Sequence, residues 1–168
     1  MASIRGALQP LELVGVMSSI SLTVSGYYAL AVLSAVLPWV NAEVLMLSAI
    51  PVARSRLALG ALVIAVSLGQ MTGKSIMYWL SRTSTWPRSP RLQSAIDRWQ
   101  TQLEQRPRSV LAVAFVSALV GVPPFFIVSV AAGVLKVAFG RFLAVGTAGR
   151  LIHFAIVAFV PELLWRTA

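Results

Sequence analysis

The chain contains no cysteine, one histidine (His153), one asparagine (Asn41) and five acidic residues among 168. Without thiols there are no disulfides, no thiol chemistry and no cysteine-based metal sites. A lone histidine excludes a histidine-rich metal centre as well, and no cofactor is expected. No nucleophile stands beside a base, and the acids are too few for paired acid–base work, so the sequence points away from an enzyme. Charged residues make up 11% of the chain, against about 25% in ordinary soluble domains.

Apolar residues, by contrast, make up 58% and come in long blocks. That pattern predicts an all-α polytopic membrane protein of one domain. The net charge is +9, from fourteen Lys and Arg. In a soluble protein such an excess would suggest nucleic acid. Here it reads through the positive-inside rule and attraction to anionic headgroups, with membrane lipids as the expected partners and nucleic acid excluded. Assembly into a homo-oligomer is left open.

The most informative stretch runs from Val110 to Arg150. Residues 110–135 carry no charge and would suffice for one span, yet Gly121-Val122-Pro123-Pro124 interrupts them. Two adjacent prolines remove backbone donors and clash with the preceding turn, which disfavours a straight helix. Either a kinked span or a re-entrant hairpin results, the hairpin entering and leaving on one face. Each arm of ~12 residues rises about 18 Å, past the midplane of a ~30 Å hydrocarbon core. Bent backbone at that depth needs protein or a watery cavity around it.

In chain order, Met1–Pro10 is a short polar lead. Residues 11–28 are read as a first span; Ala29-Leu30-Ala31 looks like a signal-cleavage site, but the largely apolar run continues to Ala53. Residues 29–56 are expected to form a first re-entrant hairpin bent at Pro38, with Asn41 and Glu43 just beyond the bend. A span follows at 57–80. Residues 81–109 form a basic cytoplasmic segment in which Leu92, Ile96, Trp99 and Leu103 make an amphipathic stripe, started by Pro90 and ended by Pro107. Residues 110–136 are the second hairpin, and 142–165 the last span. The two halves echo each other. Ser-Ala precedes a proline in VLSAVLP (32–38) and in FVSALVGVP (115–123), and glycines precede a cation in Gly69-…-Gly73-Lys74 and in Gly146-…-Gly149-Arg150. Broken helices at corresponding places are the mark of an inverted-repeat transporter architecture.

Charge separates hairpins from ordinary spans. With hairpins, Arg5, the six arginines of 81–109, Lys136 and Arg141 share one face, nine bases against three (Arg54, Arg56, Arg166). With spans the division is seven against five. The positive-inside bias favours the first, with a cytoplasmic N-terminus.

Gly69-Gln70-Met71-Thr72-Gly73-Lys74-Ser75 is one residue short of a phosphate-binding loop. It lies in an apolar helix without the preceding strand such a loop needs, so no nucleotide is expected. The remaining candidates are ionisable groups inside the membrane, where a charge costs several kcal/mol (~2.5–3.5 on insertion scales) and usually faces a cavity or partner. Arg150 and Lys74, with Asn41, are candidates for a headgroup path; guanidinium grips phosphate oxygens bidentately. The plainer alternatives are snorkelling for Lys74 and Arg150. Glu43 and His153 are candidates for carrying protons. Their plainer alternatives are an ion pair of Glu43 with Lys74 or Arg150, and simple packing for His153.

Pro38…Glu43, Gly69…Gly73…Tyr78…Arg82 and the GVPPFFIVSVAAG–Phe142–Gly149-Arg150-…-Phe154 pattern together resemble the DedA/VTT (SNARE-associated) superfamily, the short bacterial branch most closely. The likeness covers roughly residues 28–155. It implies two inverted halves, each a re-entrant hairpin followed by a long span, in a bacterial inner membrane. It also implies movement of lipids, or of lipid-linked phosphates such as the undecaprenyl carrier, between leaflets. Two departures stand out. No arginine lies near the second hairpin's prolines, and His153 stands where an arginine before an aromatic is often found.

Three readings compete on the residues themselves: lipid translocation, export of small cationic or amphipathic molecules with Glu43 as counter-charge, and a non-transport assembly factor. The excess of buried cations over Glu43 favours an anionic cargo. Buried charges in both halves have no use in a mere assembly factor.

Overall fold

The structure, a computed structural model, describes residues 2–37, 41–83, 90, 94, 97, 98 and 107–167, with side chains over 18–37, 41–83 and 110–160 and at those isolated positions. Among the described residues it is all-helical: α1 (Ala2–Val36), α2 (Ala42–Ala49), α3 (Arg56–Arg82), α4 (Pro107–Val120), α5 (Phe125–Val134) and α6 (Phe139–Thr167). Three stretches, Ser18–Val36, Arg56–Arg82 and Phe139–Val160, are long and apolar enough to cross a membrane by length and composition.

α3 is the most enclosed of the three, with α1, α5 and α6 packed around it and α4 lying against α6. Its close packing with α1 follows from small residues. Tyr28 and Ala31 of α1 press on Gly69, and Val32 and Ala35 press on Gly73. Alanines four apart thus face glycines four apart, letting two apolar helices touch along their backbones. The pairing also sets direction: α1 and α3 run the same way, 28 beside 69 and 35 beside 73. α6 runs opposite to α3, for Tyr78 stacks on Phe142 at 5.4 Å, while Leu59 and Leu62 cluster with Phe154 and Ala158.

The helix breaks at Gly121–Pro124, as the paired prolines require. Gly121 takes φ +83°, a left-handed conformation open to glycine. Ser117 Oγ donates to the Pro123 carbonyl at 2.5 Å, and Gly121 N–H to the Ser117 carbonyl at 2.9 Å. α5 then returns alongside α3, so close at Gly133 that a side chain there would strike Tyr78 and Ser81. It ends in a 6→1 and 5→2 hydrogen-bonded turn, Val137 N–H to Ala132 and Lys136 N–H to Gly133, with Lys136 left-handed at φ 52°. Tyr78 locks this turn to α3: its hydroxyl donates to the Val137 carbonyl at 2.5 Å and accepts from Arg82 at 2.6 Å.

Several boundaries differ from expectation. The division placed at 28/29 falls inside α1, which continues unbroken to Val36; the first arm of the proposed hairpin is the end of the first helix. No proline or glycine stands between Gly26 and Leu37 to stop it. The lead Ala2–Pro10 also belongs to α1. Pro107 opens α4, a position where its missing N–H costs nothing. Pro38, and the stripe of Leu92, Ile96, Trp99 and Leu103, lie outside the described residues. α1 ends at Val36 and α2 begins at Ala42, with Asn41 extended at φ −79°, ψ 117°.

Candidate functional site

The two helix breaks come together against the middles of α3 and α6. α2 starts from the first break. Asn41 caps it, its side-chain oxygen accepting from Glu43 N–H at 2.7 Å. That interaction accounts for Asn41, whose amide oxygen is committed to backbone. The cap turns Glu43 toward α6, where its Oε1 lies 3.4 Å from His153 Nε2. The other ring nitrogen, Nδ1, lies 2.7 Å from the Leu119 carbonyl at the end of α4. A carbonyl only accepts, so Nδ1 carries the proton. His153 therefore touches both breaks at once.

Lys74 and Arg150 are buried beside them, 6% and 8% exposed, too enclosed for either to be reaching for an interface. Lys74 Nζ donates to the Ala35 carbonyl at 2.7 Å, near the end of α1, and stands 5.6 Å from the centre of the Phe126 ring. Arg150 lies between two rings, 5.1 Å from Phe125 and 5.7 Å from Phe154. A desolvated cation over an aromatic face gains about 2 kcal/mol, comparable to the cost of one membrane charge. The guanidinium is incompletely satisfied, since its Nε is buried without a hydrogen-bond partner, as is Nε2 of His153. Glu43 interacts electrostatically with Arg150, and Arg150 with Lys74.

Arg150, Lys74, Glu43 and His153 thus form one cluster. The expected alternative of a pair between Glu43 and Lys74 or Arg150 is replaced by the contact with His153. Pro123 and Pro124 shape the second break, their carbonyls accepting from Ser117 Oγ and from Ile127 N–H respectively. The sequence reading missed the two phenylalanines. Their signal is the Pro-Pro-Phe-Phe order, which places two rings in the first turn after a break. It also missed Gln70, whose amide nitrogen lies 3.2 Å from the Ala31 carbonyl and 2.5 Å from Ser34 Oγ, tying α1 to α3 one turn from Lys74. A groove of about 410 Å³ on the outer side of α3, lined by Thr72, Ser75, Ile76, Trp79, Leu80 and Thr83, shares no residue with the cluster.

Helices of this length and composition, with ionisable groups gathered where two broken helices meet, define a helical membrane protein. Residues 13–163 match the family model for the VTT domain. The chain belongs to that family, the DedA/SNARE-associated one. No curated protein and no solved structure gives a match.

Proposed function

We propose that the protein moves lipids with anionic headgroups, or lipid-linked phosphates, between the leaflets of a bacterial cytoplasmic membrane. The carrying observation is the burial of Lys74 and Arg150 together where both helix breaks meet. From Phe139 to Arg150 a helix rises about 17 Å, and from Lys74 to Arg82 about 12 Å, which puts both cations at mid-depth of a ~30 Å core. On this reading α1's last turns with α2, and α4 with α5, are re-entrant hairpins entering from opposite faces. The opposed directions of α3 and α6 suit an inverted repeat. Because α1 and α3 run the same way, the N-terminus lies on the face where α3 begins, opposite Arg82, Lys136 and Arg141. On this reading the positive-inside rule makes the face of Arg82, Lys136 and Arg141 cytoplasmic, and the expected grouping of Arg5 and a cytoplasmic N-terminus with them is not kept.

The chemistry required is modest. A phosphate crossing the bilayer must exchange its water for donors, and a guanidinium with a free Nε–H beside an ammonium offers them. The lipid tails stay in hydrocarbon throughout. Glu43 and His153 supply sites where a proton can be taken up or released as the anion passes. The function is transport and not catalysis, and two cations against one carboxylate favour an anionic cargo over a cationic one.

Proteoliposomes carrying a fluorescent phosphatidylglycerol test this. A membrane-impermeant quencher should reach label from both leaflets when the protein is present, and only the outer leaflet when it is absent. Arg150→Gln, confirmed folded, should slow exchange by about tenfold or more, as expected for losing one charge-assisted contact. Unmixed leaflets with the wild-type protein refute the proposal.

A further inference from the structure

We infer that His153 is a positioning residue that clasps the two helix breaks together when its imidazole is charged and lets them part when it is neutral. The geometry is two-sided. Nδ1 is held 2.7 Å from the Leu119 carbonyl, at the last turn of α4, while Nε2 faces Glu43 Oε1 of α2 at 3.4 Å. Since Nδ1 must carry the proton that Leu119 accepts, a neutral ring leaves Nε2 as a bare lone pair opposite a carboxylate. Two acceptors then face each other, and Nε2 is buried with no hydrogen-bond partner. Adding one proton turns Nε2 into a donor aimed at Glu43. A frustrated contact becomes a charge-assisted hydrogen bond joining the first break to the second.

The charged groups around the ring are few. Glu43 comes from α2. Arg150, on α6 itself, interacts with Glu43, and Lys74 of α3 with Arg150. Residues 110–134, covering α4 from Val110 and all of α5, carry none. Of these groups only the Glu43 carboxylate is in direct contact with the ring. Histidine is the side chain whose ordinary charge change falls between about pH 5 and 8. If His153 only capped the Leu119 carbonyl, Nδ1 alone would matter and acidity would change nothing.

The absence of cysteine makes the test direct. Spin labels at Val44→Cys and Val122→Cys, both on exposed positions beside the breaks, report the separation by double electron–electron resonance in lipid nanodiscs. Going from about pH 8 to about pH 5.5, the ratio of short to long separations should rise about tenfold, the effect of one hydrogen bond to a charged group. His153→Gln and Glu43→Gln should each flatten that response. A flat response in the wild-type background, or one surviving in either variant, overturns the inference. Should His153→Gln fail to fold, Glu43→Gln alone decides. Lipid movement is not measured, so the outcome is separate from that of the transport reading.

Discussion

Lys74 and Arg150 sit in matching surroundings. Each follows a glycine whose bare backbone admits an alanine from another helix, Ala35 at Gly73 and Ala118 at Gly149. Each lies over one of two consecutive rings, Phe126 for Lys74 and Phe125 for Arg150. The glycine draws a helix close, and the residue one step around is carried inward with it. Two separate helices thereby deliver a cation to the first turn of α5.

Filling either glycine should therefore cost stability. A Cβ at Gly149 would stand 2.7 Å from Ala118 Cβ and 3.0 Å from the Phe115 carbonyl oxygen, and at Gly73 it would meet Ala35 and Val32. Alanine favours a helix over glycine by about 1 kcal/mol, but overpacking a tight contact costs about 1–3 kcal/mol. Gly73→Ala and Gly149→Ala should lower the detergent melting temperature. Gly60→Ala, with nothing within 4 Å, should hold or raise it. Equal behaviour of all three would contradict the close approach.

Much of this arrangement is written in local sequence. Paired prolines at 123–124 announce a break because the backbone penalty is local, and glycines ahead of Lys74 and Arg150 mark where helices touch. The Ser-Ala pairs at 34–35 and 117–118 were visible as an echo; their meaning, an alanine seated on a glycine, needed the packing. Which partner a buried charge takes is not local at all. Glu43 and His153 are 110 positions apart, and it is the packing of α2 on α6 that brings them to 3.4 Å. The 28/29 boundary falls within one helix because a helix ends where a residue stops it, and none does before Val36.

Cysteines at Arg108 and Lys136 should lie on the same side of the membrane. Arg108 is in the first turn of α4 and Lys136 in the turn after α5, and the two helices are joined by a tight break. An impermeant thiol reagent added to intact cells should leave both unmodified, and reach both in inverted vesicles. Opposite labelling would mean that α4 and α5 cross as one span.

Asn41 separates a structural from a transport role. As the cap of α2 it should tolerate Asn41→Asp, which accepts the same Glu43 N–H, while Asn41→Ala should cost about 1 kcal/mol. Lipid exchange should follow stability across the pair. A well-folded Asn41→Asp that no longer moves anionic lipid would place this side chain on the headgroup path.

Glu43 and Arg150 provide the sharpest separation between structure and function. Their charges interact, although the direct contact of Glu43 is with His153. A buried charge left alone is penalised more than a pair removed together, by about 3–5 kcal/mol where the pair is enclosed. Glu43 is half exposed, 52% at its side chain, so its share of any such penalty is small. If the two serve only as a structural pair, Glu43→Gln and Arg150→Gln should each lower the melting temperature, and the double change should restore most of it. If Arg150 grips a phosphate and Glu43 handles a proton, each single variant should remain folded yet exchange lipid slowly, and the double variant should stay slow. The second outcome is expected, because the aromatic faces of Phe125 and Phe154 continue to hold Arg150 when the carboxylate is gone. Melting temperature and leaflet exchange measured on all three variants decide between them; exchange restored in the double variant would rule out the phosphate-gripping role.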